Sequence, residues 1–226
     1  MSNYMRMQSN ALPAAPRAPS PAAPARLGAA IGALVLAWLG AIAILADRLA
    51  FASAPGAPPI AVLAAIAVPP MLFAAALAWH PGVRRQVLAI DPVWLAAVQG
   101  LRALGGGFLF VHAFGHLPGL FAWPAGLGDL LVAALAPFVA VRLARDPGWL
   151  ASRELARFHA LGLLDFAVAV GTGVAASGRI PLVVDGVTTG PLGVLPLVLI
   201  PAFAVPLWIC LHLAAFAQIR AARRAT

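Results

Sequence analysis

Lysine is absent, cysteine and tyrosine occur once each, and charged side chains make up only 10% of the 226 residues. A soluble domain carries about 25% charged residues, so this shortage excludes an ordinary water-soluble globule. A single thiol, Cys210, cannot close a disulfide within the chain and says nothing about redox compartment. No loop is long enough to fold as a catalytic domain. The P-loop, the G-x-S-x-G elbow, the Cys/His spacing of zinc sites and the dinucleotide fingerprint are all missing.

What is abundant is apolar: 62% of the residues are hydrophobic. The net charge of +8 comes from arginines that sit between apolar runs rather than beside aromatics on a polar surface. That placement argues for a lipid bilayer and against nucleic acid as the partner. An all-arginine basic set alongside 21 glycines and 21 prolines reads as GC-rich, bacterial coding rather than as phosphate recognition.

Residues 1–26 are rich in proline and alanine, carry Arg6, Arg17 and Arg26, and show no apolar period, which predicts a disordered cytoplasmic leader. Six apolar stretches follow, at 27–46, 60–79, 93–117, 127–143, 158–176 and 192–217. Each is near the roughly 20 residues that cross a hydrocarbon core of about 30 Å. Open backbone is not tolerated in lipid, so all six are expected to be helices. The predicted fold class is all-α, a polytopic bundle of six transmembrane helices over 27–218 with a short basic tail at 219–226. Ala52-Ser53-Ala54 has the form of a cleavage site, but the run before it is too long for a removed signal.

Arginine placement sets the orientation. Numbering the segments alternately, one side holds Arg6, Arg17, Arg26, Arg84, Arg85, Arg142, Arg145, Arg153, Arg157, Arg220, Arg223 and Arg224. The other holds Arg48 and Arg179. Both termini are therefore expected in the cytoplasm, in a bacterial inner membrane. Asp91-Pro92 and Asp146-Pro147 read as caps followed by proline at the first helical position. The second of these is expected to open a short interfacial helix over 149–157 that runs into the fifth span. Residues 177–190 form the longest external loop, with the β-branched content of a small hairpin.

An ionisable group inside a span is a functional hypothesis by default, because insertion near the centre costs about 2.5–3.5 kcal/mol. Arg102 lies about nine residues into the third stretch and Asp165 about seven into the fifth. At similar depth they suit an ion pair facing the interior, with His212 near by, Gln99 beside Arg102, and Thr172 on the Asp165 face. On the external half, His112 and His116 share a helix face, and Asp129 is expected to open the fourth span. Those three form a conceivable metal set. His159 and His212 could hold one haem between two helices. The glycines at 105–107 permit close helix contact. Pro191, Pro196, Pro201 and Pro206 recur every five residues and should free the carbonyls of Leu192, Leu197 and Ala202 if that span is helical throughout.

Gly126-Leu127-Gly128-Asp129 resembles the G-x-G-D motif of intramembrane aspartyl proteases. The expected topology puts Asp129 external and Asp165 cytoplasmic, too far apart to share a proton, and that family's Pro-Ala-Leu element is absent. Residues 99–137 (QGLRALGGGFLF, then GHLPGLFAWPAGLGDLLVAALAP) resemble a pattern in small, uncharacterised multi-pass bacterial membrane proteins. That resemblance implies a membrane protein without a stated activity and singles out Arg102 and Asp129. Three functions fit: a polar intramembrane site at Arg102 and Asp165 that binds or conducts a small solute or proton, a structural or assembly subunit, or a single-haem redox protein. No catalytic machinery is recognisable.

Overall fold

The computed structural model describes residues 22–54, 56–178 and 186–225. The chain divides into two compact units, Met1–Ala37 and Trp38–Thr226. The boundary falls inside the first helix, and the candidate site lies wholly in the second unit. Eight α-helices are described: α1 (Ala22–Asp47), α2 (Ile60–Trp79), α3 (Pro81–Leu88), α4 (Pro92–Ala97), α5 (Gly107–Ala113), α6 (Gly119–Arg145), α7 (Arg153–Ala175) and α8 (Val205–Ala225). A 3₁₀ segment, Val98–Gly106, joins α4 to α5, and a π-helical turn, Ile200–Ala204, leads into α8. Shorter 3₁₀ turns cover Pro147–Ala151 and Gly190–Gly193, and no strand occurs among the described residues. Six segments are long and apolar enough to cross a membrane: Gly28–Asp47, Ile60–Trp79, Pro92–Ala113, Gly119–Arg145, Arg153–Ala175 and Ile200–Ala225. The all-α, six-span fold is the one expected.

Several boundaries move. Residues 22–26, expected in the leader, are helical: two alanines start the helix, and Pro24 falls in the first turn, where a missing N–H costs nothing. The rest of the expected leader lies outside the described residues, as does half of the expected hairpin, at 179–185. The fourth span starts at Gly119 instead of near 127 and runs through Pro124, so Asp129 is not at a helix start. It sits ten residues in, about 15 Å along the axis of the 27-residue helix. The sixth span begins at Ile200 and runs to Ala225, leaving 194 as a bend and 195–198 as turns. Leu197's carbonyl, expected to be free, accepts the N–H of Ile200 at 3.1 Å. The expected interfacial helix is instead a 3₁₀ turn, because the Ser152 hydroxyl caps α7 by accepting from Leu155 N at 3.1 Å. Asp91 caps α4 as expected, accepting from Val93 N at 2.8 Å.

α6 packs against the third span (α4, the 3₁₀ segment and α5) and against α7. Its buried stripe is made mostly of small residues: Ala122, Ala125, Gly126, Ala136 and Ala140, with Asp129 the one charged member. Small side chains let helices approach closely where no hydrophobic force drives them together. One apolar cluster packs at the end near the α6–α7 connection (Ala96, Val132, Ala136, Leu143, Leu155, Phe158, Ile219). A second packs near the α5–α6 connection (Phe108, Leu117, Phe121, Ala122, Ala176). Leu72, Leu104, Phe110, Phe138 and Leu164 point outward and are exposed, the reverse of a soluble protein's pattern and the one that lipid requires.

Two polar clamps fix the arginine-rich end. Gln218 of α8 donates through Nε2 to Val87 O (2.9 Å) and Ile90 O (2.7 Å), carbonyls at the end of α3. Arg223 donates to Ala151 O and Ser152 O at 2.8 and 2.7 Å. Gln218→Leu strands two carbonyls in a buried place. It is expected to lower unfolding free energy in detergent by about 1–3 kcal/mol; an unchanged thermal midpoint contradicts this account of the clamp.

Candidate functional site

The third span is unusual in its middle. Nine residues, Val98–Gly106, wind as a 3₁₀ helix, in which side chains three apart eclipse one another. Five buried positions follow that period, Ala96, Gln99, Arg102, Gly105 and Phe108, with Leu95 and Gly106 buried beside them. An α-helix would spread these residues around its circumference; the tighter coil lines them up on α6 and α7.

Arg102 is the centre of the site, with its side chain fully buried. Its Nε donates to Asp129 Oδ1 of α6 at 2.8 Å, and its Nη2 donates to Asp165 Oδ2 of α7. Its Nη1 lies 3.2 Å from Gly162 O and 3.2 Å from His212 Nε2 of α8. The Phe166 ring lies against the guanidinium face, 3.9 Å from ring centroid to Cζ. Arginine only donates, so His212 accepts on an Nε2 lone pair and is a neutral imidazole with its proton on Nδ1. That proton is donated to His159 Nδ1, 2.9 Å away. The two imidazoles thus extend the polar chain from Arg102 toward the arginine-rich end, where the Leu155 and Phe158 cluster closes over it.

Glycines make the approach possible. A Cβ on Gly105 would overlap the Asp129 carboxylate, one on Gly128 the Asp165 carboxylate, and one on Gly162 the His212 ring. Each polar side chain occupies the notch left by a glycine on a neighbouring helix.

The expected Arg102–Asp165 pair, with His212 beside it, is formed. The expected separation of Asp129 from Asp165 is overturned: the two carboxylates meet on adjacent nitrogens of one guanidinium, because α6 starts earlier than its sequence suggested. A proteolytic dyad still does not follow, since such carboxylates must share a proton with each other, whereas these are held by Arg102. Gln99 is buried one 3₁₀ turn from Arg102, with Nε2 toward Leu95 O at 3.4 Å and Oε1 without a partner among the described residues. Thr172 is outside the cluster; its hydroxyl donates to Val168 O of its own helix at 2.8 Å. His112 Nδ1 bonds Leu117 O at 2.8 Å, His116 is exposed, and Asp129 lies ten residues along α6 from Gly119, which borders His112. The expected metal set of those three is therefore not assembled. His159 and His212 touch through a direct nitrogen–nitrogen hydrogen bond, which leaves no gap for a haem plane between them.

A cavity of about 240 Å³ leads to this cluster. Part of its lining is Ser53, Ala57, Ser177, Thr188 and Gly190, from the connections after α1 and α7. Its walls are Val62, Ile66, Phe121, Ala169 and Val170, and Asp129 and Phe166 lie at its base. A smaller pocket of about 60 Å³, lined by Arg102, Gly105, Asp129, Trp208 and the π-helical turn, adjoins it.

The sequence reading missed Asp129's depth. A usable signal was present: each buried charge has a glycine three residues away on its own helix, in Arg102-x-x-Gly105, Gly126-x-x-Asp129 and Gly162-x-x-Asp165. Six helices with apolar outer faces and a buried charge cluster define a multi-pass helical membrane protein. Within that class, the chain belongs to the family described as Domain of unknown function (DUF8737), whose family model matches residues 59–220. No curated protein matches the chain, and no solved structure does.

Gly105→Ala and Gly128→Ala force a carboxylate off Arg102 and are expected to cost about 1–3 kcal/mol of stability. Gly100→Ala, in the same span with nothing within 4 Å of the added Cβ, is expected to be neutral or slightly stabilising. Melting the three variants side by side in detergent checks the notch account; equal midpoints refute it.

Proposed function

We propose that this protein is a bacterial inner-membrane protein, with both termini in the cytoplasm, that binds a small solute at an intramembrane site formed by Arg102, Asp129 and Asp165. The arginine imbalance between the two sets of connections supports the orientation. One observation carries the site: the cavity runs from the arginine-poor connections to Asp129 near mid-span, while the opposite end is closed by the Leu155 and Phe158 cluster. An ion triad that only set helix register would need no such access. Buried charge facing a cavity, beside an interrupted helix, is the arrangement used for solute and ion sites in membranes.

Oriented vesicles test it. With Cys210 replaced by serine, a cysteine at Ala169, in the cavity wall, is expected to react with a membrane-impermeant cationic thiol reagent from the non-cytoplasmic face. A cysteine at Leu164, which is 60% exposed on the outer surface of α7, is expected to stay unmodified in lipid. Protection of Ala169→Cys from that face, or reaction from the cytoplasmic face alone, ends the proposal.

A further inference from the structure

The hydrogen-bonding capacity left over at this site is lopsided. Four of the five guanidinium N–H groups of Arg102 have partners: Asp129, Asp165, Gly162 O and His212. Phe166 covers the guanidinium face, and the Arg102 side chain is 0% exposed. The carboxylates differ: the Asp129 side chain keeps 13% exposure and Asp165 7%. Oδ2 of Asp129 and Oδ1 of Asp165 have no hydrogen-bond partner among the described residues. Asp129 lines both cavities and Asp165 neither, while Arg102 borders only the smaller one, so a molecule entering the larger cavity meets the Asp129 carboxylate, with Asp165 behind it on the same guanidinium. The space above them is apolar and aromatic, walled by Phe108, Phe121, Val62 and Ile66.

Charge counting gives the second half. One guanidinium and two ionised carboxylates sum to −1, a costly charge at membrane depth. A single proton or a single monovalent cation brings the cluster to zero. The charged and titratable groups facing the carboxylates are Arg102 from the 3₁₀ segment, His212 from α8 and, behind it, His159 from α7. α2 and the π-helical turn supply only apolar side chains to the two cavities. His212 already accepts from Arg102 on Nε2, so a proton arriving there would break that contact. The carboxylate pair is the seat that remains.

Granting the cavity reading above, we propose that the site takes a monovalent organic cation, an ammonium head on an apolar body, and that this cation and a proton are alternative occupants of the Asp129/Asp165 pair. The ammonium donates to Asp129 Oδ2, its body fills the apolar cavity, and one proton leaves as it enters, so that charge balances.

The test uses the full-length protein in detergent, in weak buffer with a pH-indicating dye. Phenylpropylammonium is expected to bind, read by tryptophan fluorescence, and to release about one proton per molecule bound. Phenylpropionate, phenylpropionamide and sodium chloride are expected to do neither. Asp129→Asn should weaken ammonium binding by about tenfold or more. Ala169→Trp, which fills the cavity and leaves the carboxylates in place, should abolish it, so the inference does not depend on one variant folding. Equal binding of the carboxylate or amide, ammonium binding without proton release, the same release with sodium, or indifference to both substitutions overturns it. No binding of any probe, with Ala169→Cys still reactive from outside, removes the cation assignment and leaves the cavity reading standing.

Discussion

One guanidinium organises the interior. Placing Arg102 at mid-span is costly, and the cost is offset only because three helices bring partners to the 3₁₀ segment that carries it: α6 gives Asp129, α7 gives Asp165 and the Gly162 carbonyl, and α8 gives His212. Removing one partner of a buried ion pair costs about 3–5 kcal/mol, because the other is left uncompensated. The interaction is therefore directional in a way that apolar packing is not. Leu and Ala faces can slide past one another in lipid; a planar fork that must meet two carboxylates cannot. Helix register in the second unit follows from that demand.

The demand also explains where small residues fall. The aspartate side chains of Asp129 and Asp165 are short compared with the usual separation of helix axes of about 8–10 Å. Glycines 105, 128 and 162 remove the Cβ atoms that would stand in the way, and the alanine stripe of α6 lets the neighbouring helices follow. Close approach at the polar layer leaves no slack there. Above it, toward the arginine-poor connections, the helices are walled by Phe108, Phe121 and Phe166 and enclose space. The cavity and the ion cluster are two results of the same convergence.

Fold class and span number were legible because they depend on apolar run length, which a bilayer imposes on any sequence. The Arg102–Asp165 pair was legible because two charges at matching depth have few other solutions. Asp129 was misread for a physical reason: a carboxylate after glycine, close behind Trp123-Pro124, looks like a capped helix start, and only tertiary packing shows the helix continuing through Pro124. The start of the last span was misread likewise, since five-residue proline spacing does not say which prolines lie in helix and which in turns. The 3₁₀ coil of the third span left a trace in the three-residue spacing of Gln99, Arg102 and Gly105, but that period is ambiguous over so few residues.

The 3₁₀ segment has a geometric consequence of its own. Such a coil advances about 2.0 Å and turns about 120° per residue, against about 1.5 Å and 100° in the α form. Rewinding Val98–Gly106 into the α form would draw the span in by about 4–5 Å and rotate the arginine by roughly a quarter turn relative to α4. An α pitch over this stretch would carry the guanidinium away from both acids, so it is the tighter winding that presents Arg102 to them.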